Sequence, residues 1–338
     1  MKAEGVGKSA VIHKKTRAGI KEFNYWLLAF GWVLLFVVSA FFLVWQGLGD
    51  AQHNFDNDVS QRHKSISQLL QANTIILESF AAHLNTEGYL DWDETGKFAR
   101  KMLERYPHIY MLATVQRVTP FNLPQLKQRM KGFGYPSFSV RTFDLIDQGN
   151  DKKRRKWMPV VPGQPFHYPI IFMEPLTPES ETVLGLDVYS IDHLRQAIDV
   201  AIADKDKLAA SMPFDLIEGK RAYVIFRPIQ LSDVNEAVGN SYPELIAQLV
   251  IETEQLVSYV RNEGDSTIRL YHTKFSADDP RGLLYIAWQV PSSELEQKLL
   301  PVLSSIKSFD IGGQNFTMAI TQQLTWRDIN NYQLMGLA

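Results

Sequence analysis

One apolar stretch, Asn24 to Gly49, constrains this chain more than any other part of it. From Tyr25 to Gln46 it reads YWLLAFGWVLLFVVSAFFLVWQ, 22 residues without a charge. At ~1.5 Å per residue, a helix of that length crosses the ~30 Å hydrocarbon core of a bilayer. Trp26 and Trp45 stand near its two ends, at the headgroup level that amphipathic rings prefer. The leader, residues 1–23, carries Lys2, Lys8, Lys14, Lys15, Arg17 and Lys21 against Glu4 and Glu22. Beyond the stretch come Asp50, Asp56 and Asp58, with no lysine or arginine before Arg62. Lysine and arginine are retained on the cytoplasmic side, so the N-terminus is expected inside and residues 50–338 in the periplasm, with one pass through the inner membrane. A cleaved signal peptide is the rival reading. Its apolar region runs ~7–15 residues and ends at a small-x-small site, which here only Gly47-Leu48-Gly49 resembles. The length of the run favours an uncleaved anchor.

The chain has no cysteine and a formal net charge of -2. The first rules out a disulfide framework, and the second argues against a nucleic-acid partner. H-E-x-x-H, G-x-S-x-G, P-loop and G-x-G-x-x-G patterns are all absent. No metal, cofactor or catalytic residue is therefore expected, and an extracytoplasmic hydrolase is disfavoured. Gly312-Gly313-Gln-Asn-Phe lacks the acidic residues that a metal-dependent cyclase loop would need.

Residues 50–90 read as a stalk helix. Phe55, Val59, Arg62, Ile66, Leu69, Asn73, Ile76, Phe80 and His83 follow spacings of four and three, the stripe of a coiled-coil seam. Two readings stand: a homodimer contact through residues 55–83, or a helix packing its stripe onto its own domain. Gly88 and the acidic Asp91, Asp93 and Glu94 end it. Over 91–230 the pattern predicts helices at Thr95–Tyr106, Leu123–Lys131 and Ile191–Ala203. Strands are expected at Ile109–Val118, Phe138–Phe143, His167–Met173, Val183–Val188, Ser211–Ile217 and Arg221–Pro228. A smaller unit, 231–330, is expected after the polar stretch Ser232–Ser241. It would hold helices at Glu244–Arg261 and Ser292–Leu300 and strands at Thr267–Lys274, Leu283–Gln289 and Phe316–Thr325, with a turn at Gly312-Gly313. The fold class is α+β, antiparallel sheets flanked by helices. Residues 331–338 turn apolar and are expected to open a second membrane helix.

Lys152-Lys153-Arg154-Arg155-Lys156-Trp157 is the sharpest charge feature. It reads either as an anion-attracting loop or as a solvated connection between two strands. Phe166-His-Tyr-Pro-Ile-Ile-Phe-Met-Glu-Pro175 reads as an inner strand, which in a small binding domain also lines the cavity.

Taken in order, Arg105-Tyr-Pro107, Val115-Gln-Arg-Val118, Tyr168-Pro-Ile-Ile-Phe172 with Glu174-Pro175, Gly185-Leu-Asp-Val188, Met212-Pro-Phe214 and the strand Arg221–Pro228 resemble the CHASE sensory domain. The resemblance runs from about Ile109 to Ile229 and covers the second unit poorly. It implies a membrane helix, a long stalk helix, and membrane-distal and membrane-proximal PAS-like modules. It also implies a receptor that binds a small molecule distally, dimerises through the stalk and signals to a histidine kinase, diguanylate cyclase or phosphodiesterase output. In plant cytokinin receptors of this family, the adenine-binding Asp precedes the Tyr-x-Pro-type strand. Here Pro165 holds that place, against a purine bound in the same way. The implied ligand site comprises Tyr168, Ile170, Phe172, Leu186, Asp187, Ser211 and Tyr223, with Arg117 or Arg141 supplying charge. Arg117 has a second reading, as the buttress of a carboxylate such as Asp187. The alternative function is a membrane-anchored scaffold for a partner protein, with no small ligand.

Overall fold

The computed structural model describes residues 7–86, 92–146, 154–160, 163–204, 207–216, 218–229, 245–258 and 266–329. Several expected features lie outside the described residues: the start of the leader, the break at Gly88–Asp91, Lys152 and Lys153, the linker Ser232–Ser241, and 331–338. In chain order the elements open with α1 (Gly7–Thr86), α2 (Trp92–Arg105), β1 (Ile109–Gln116), α3 (Leu123–Gly132), β2 (Arg141–Ile146) and β3 (Arg154–Pro159). There follow β4 (Ile170–Glu174), α4 (Pro178–Glu181), α5 (Asp192–Ala203), β5 (Ala209–Ala210), β6 (Phe214–Asp215) and β7 (Arg221–Ile229). The last are β8 (Leu245–Glu252), α6 (Thr253–Ser258), β9 (Thr267–His272), β10 (Leu283–Ala287), α7 (Glu294–Leu299), β11 (Val302–Ile311) and β12 (Gln314–Gln323). The class is mixed α and antiparallel β, with a long apolar helix at the N-terminus.

The chain forms two compact units. One comprises residues 1–58, 291–303 and 323–338, the other 59–290 and 304–322. In the first, α1 carries an apolar window of mean hydropathy 2.7, none of it buried. Tyr25, Trp26, Trp32, Phe41 and Trp45 all stand open. So much exposed apolar surface is costly in water, and a bilayer removes the cost. Leu300, Leu324 and Ile329 pack on Ala51, with Leu48 and Leu303 beside them. The helix α7 starts on a capping box, in which Ser293 and Glu296 satisfy each other's backbone amides.

The second unit is built on a six-stranded antiparallel sheet of order β4-β1-β8-β7-β5, with β6 also on β7. Its centre corrects one sequence expectation. Glu244–Arg261 reads as a helix from Leu245, Leu249 and Leu256, yet Leu245–Glu252 is strand β8, buried at all eight positions. It pairs with β1 on one side and β7 on the other. The run LIAQLVIE is apolar almost throughout, as a strand covered on both faces must be, and such a run satisfies the helical period by accident. Among the described residues of that stretch, Thr253–Ser258 is helical. The expected division at 230/231 thus falls between β7 and β8, neighbours in one sheet.

Arg154–Lys156 of the basic run lie on β3, paired with β2, and are not a loop. A four-stranded sheet, β10-β9-β12-β11, completes this unit. Its β11 has no counterpart among the sequence expectations, because VLSSIKSFDI is mostly exposed and lacks a clean alternation. From Val59 onward, Val59, Arg62, Ile66, Asn73, Ile76 and Phe80 of the expected stripe are buried within this chain, Leu69 and His83 only partly so, and Leu70, Leu77 and Leu84 are buried beside them. The spacing of four and three is therefore met by a helix lying on its own sheets. His83 and Phe80 stack on Phe98 of α2 at 5.0 and 6.1 Å.

Candidate functional site

Asp187 is the most heavily used polar side chain of the expected site. It caps the 3-10 turn Val188–Ser190 and has no exposed surface. Its carboxylate accepts from His167 Nδ1 at 2.7 Å, Tyr168 N at 2.8 Å and Tyr189 N at 3.2 Å. Three protein donors fill most of a carboxylate's acceptor capacity. Asp187 is thus a tie-post joining the 166–170 segment to the 185–190 turn. Gly185 lets that turn approach: at φ +88 a Cβ would lie 2.4 Å from Ser139 O. Arg141 N and O meanwhile bond Gly185 O and Asp187 N at 3.0 and 2.9 Å.

Around the tie-post lies an aromatic group. Phe166, Tyr168 and Tyr189 meet at 5.2–5.7 Å between ring centres, and Tyr189 donates to Asp199 of α5 at 2.7 Å. The Arg117 guanidinium sits 5.1 Å from the Phe166 ring centre, within cation–π range. Arg141 lies 4.3 Å from the Trp157 ring centre and donates to Thr182 O at 2.6 Å.

The nine expected residues do not converge. Phe172 pairs with Thr114 across the ladder and Ile170 with Val115, with an irregularity between them. Thr114 and Val115, adjacent on β1, point to opposite faces, so at the irregularity their partners Phe172 and Ile170, two apart on β4, part as well. Phe172 meets Phe80 of α1 at 6.3 Å. Tyr223 also faces α1, its hydroxyl bonded to Asn73 and Gln314. Tyr168, Leu186 and Asp187 form the tie-post region on other elements. Ser211 closes the β5–β7 ladder: its Oγ accepts from Val224 N at 3.0 Å while its own N donates to Val224 O at 2.7 Å.

The contact between Tyr223 and α1 belongs to a buried polar network. His108 Nε2–H donates to Asn73 Oδ1 at 2.8 Å, and Asn73 Nδ2 donates to Gln314 Oε1 at 3.1 Å and Tyr223 OH at 3.3 Å. Tyr223 OH donates to Gln314 Oε1 at 2.9 Å, and Gln314 Nε2 reaches Leu70 O at 2.9 Å. All four residues are fully or almost fully buried. Burial holds His108 neutral, lowering its pKa from 6.5 to about 4, and raises the Tyr223 phenol far above its ordinary range. Asn73 thus ties α1 to His108, just ahead of β1, and to β7 and β12 of its own chain.

Beside the network is a cavity of about 660 Å³, lined by Thr74 and Glu78 of α1, His193, Gln196 and Val200 of α5, the 207–210 segment, His272, Lys274, Asp310 and Gly312-Gly313-Asn315. Its volume falls within the range of small-molecule sites, and none of the nine expected residues lines it. The glycine pair shapes one wall. A Cβ on Gly312 would lie 2.2 Å from Thr74 Oγ1, and one on Gly313 2.2 Å from Leu208 O. Glu78, Asp310, Lys207 and Lys274 give the lining both signs of charge, and burial together with Lys274 lowers the His272 pKa. The sequence carried one signal for this place, the glycine pair followed by Gln314-Asn315. Among the described residues no cluster of three or more metal-binding side chains occurs.

The chain combines a mixed unit of helices and antiparallel sheet with a helix long and apolar enough to cross a membrane. The family model of the CHASE domain matches residues 88–285, and the chain belongs to the CHASE-domain family. That domain is sensory and non-catalytic and is found in the extracytoplasmic sensor regions of receptors. No curated protein matches the chain.

Proposed function

We propose that this chain is the periplasmic sensory region of a transmembrane receptor, with its N-terminus in the cytoplasm, and that it passes a small-molecule signal through α1 to a cytoplasmic output. The observation that carries this is the continuity of α1. One unbroken helix, Gly7–Thr86, contains both the apolar span and Asn73, and the CHASE match begins just after it. The six-stranded antiparallel sheet with α5 beside it supports a PAS-like reading of the sensory module. The charge asymmetry about the span supports the orientation.

The ligand is placed in the 660 Å³ cavity, as a small polar metabolite able to meet both acidic and basic side chains. Thr74 lines the cavity and Asn73 beside it anchors the network. Gly313 lines it too, next to the network's Gln314. An occupant therefore bears on α1 and on the β11–β12 turn, two elements the network locks together. Signalling requires only that the ligand favour one arrangement of these elements over another.

The test is a thermal-shift screen of the full chain in nanodiscs against amino acids, polyamines, carboxylates and nucleobases, since a native-state ligand raises Tm. The expected hit loses its shift in Val200→Trp, at the exposed cavity wall, and in Asn315→Ala. No hit across the set transfers weight to a protein-binding scaffold. A hit untouched by both substitutions but lost in Tyr168→Ala returns the ligand to the aromatic group.

A further inference from the structure

We infer that the first unit rests an apolar foot, made of Leu295, Leu299, Val302 and Trp326, in the lipid headgroup layer. The inference depends on Tyr25–Gln46 spanning the bilayer. These side chains are 67%, 65%, 58% and 39% exposed, outside the span itself. The packing of their neighbours gives their height. Gly47 faces Ile329 so closely that a Cβ there would lie 2.7 Å from its Cγ2. Leu300 and Leu324 pack on Ala51.

Gly47 and Ala51 stand one and five residues beyond Gln46, or about 1.5 and 7.5 Å along the helix axis. The headgroup layer occupies about the first 5–7.5 Å outside the hydrocarbon core. Segments 294–303 and 324–329 are thus held against α1 at headgroup height. Leu295 and Leu299 are four apart on α7 and share one face. The two segments act as one piece: Trp326 N donates to Glu296 Oε1 at 3.0 Å, and Gln323 Nε2 to Leu300 O at 3.0 Å. Glu294, Glu296 and Asp328 outnumber Lys298 and Arg327 by one charge. The attraction is then apolar, and anionic lipid is not required.

The chain lacks cysteine, so a single introduced cysteine carries one spin label at one place. Leu295→Cys, Leu299→Cys and Val302→Cys would be labelled in the full chain in phosphatidylcholine nanodiscs. Two controls bracket them: Val37→Cys within the span, and Ile75→Cys about 43 Å along the axis past Gln46. Accessibility to oxygen and to a water-soluble nickel chelate is read by electron paramagnetic resonance. The expected result is lipid-like accessibility, oxygen over nickel, at 37, 295, 299 and 302, against water-like accessibility at 75. The same pattern is expected after adding phosphatidylglycerol. Water-like values at 295, 299 and 302 with a lipid-like 37 overturn the foot alone. A water-like 37 overturns the span and the foot together. Spin–spin broadening at the three positions, with both reagents excluded, shows that a second copy of the chain covers the face and also overturns it.

Discussion

Truncating Asn73 to alanine is expected to cost far more than removing the Tyr223 hydroxyl, although both changes strike the same network. In Asn73→Ala, His108 Nε2 loses its 2.8 Å acceptor at a site 1% exposed. A buried polar group left without a partner costs about 1–3 kcal/mol. The Asn73 bonds to Tyr223 and Gln314 vanish as well, but those two keep their own bond of 2.9 Å, so the further loss is about 1 kcal/mol. The sum is about 2–4 kcal/mol. In Tyr223→Phe the bonds of 2.9 and 3.3 Å go. Asn73 Nδ2 still reaches Gln314 Oε1 at 3.1 Å, and no donor is orphaned, so the cost is about 1 kcal/mol. Urea unfolding of the full chain in micelles, followed by near-UV circular dichroism, reads both as midpoint shifts at constant slope. Equal losses for the two variants, or no loss for Asn73→Ala, would refute the view that Asn73 fastens α1 to the sheets.

The same network makes stability depend on pH. His108 titrates at about 4 when folded against 6.5 when free, so the unfolded chain takes up its proton first as pH falls. Its contribution is complete above pH 6.5, falls by about 3 kcal/mol between 6.5 and 4, and levels off below. His108→Gln is expected to flatten that part of the urea-midpoint profile. Asp187→Ala removes the acceptor of three donors and is expected to cost about 3–5 kcal/mol with or without ligand, measured by the same unfolding assay. Gly219→Ala at φ +81 meets nothing within 4 Å, and should lose only the backbone preference of about 1–2 kcal/mol. Gly313→Ala at φ +73 also meets Leu208 O at 2.2 Å, and its melting temperature should fall visibly further.

Most local elements were legible in the chain. Strands Ile109–Gln116 and Arg221–Ile229 and helices Leu123–Gly132 and Asp192–Ala203 lie within a residue or two of where period and punctuation put them. The main failure, Leu245–Glu252, has a definite cause. A strand buried on both faces shows no alternation, so its apolar run fits a helix equally well. The candidate site was less legible. Tyr168, Phe172 and Tyr223 are core residues as expected of inner strands, but the irregularity between Thr114 and Val115 sends Ile170 and Phe172, two apart on β4, to different faces. Nothing in the local pattern records that. Nor could the stripe Phe55–His83 say what it packs on, because a seam of the same spacing suits another chain or its own sheet.

The apolar span, the charge asymmetry about it, the absence of cysteine and of catalytic motifs, and the family-level order of short motifs can all be read along the chain. These are sums or spacings over adjacent residues, and they need no partner to be read. Tertiary structure alone decided that β8 inserts between β1 and β7. It likewise decided that Asn73 finds partners 35, 150 and 241 residues away, and that a cavity forms where the glycine pair meets α1. Those outcomes depend on which distant surfaces bury one another best and on satisfying each polar group so enclosed. No window of the chain contains both sides of such a contact.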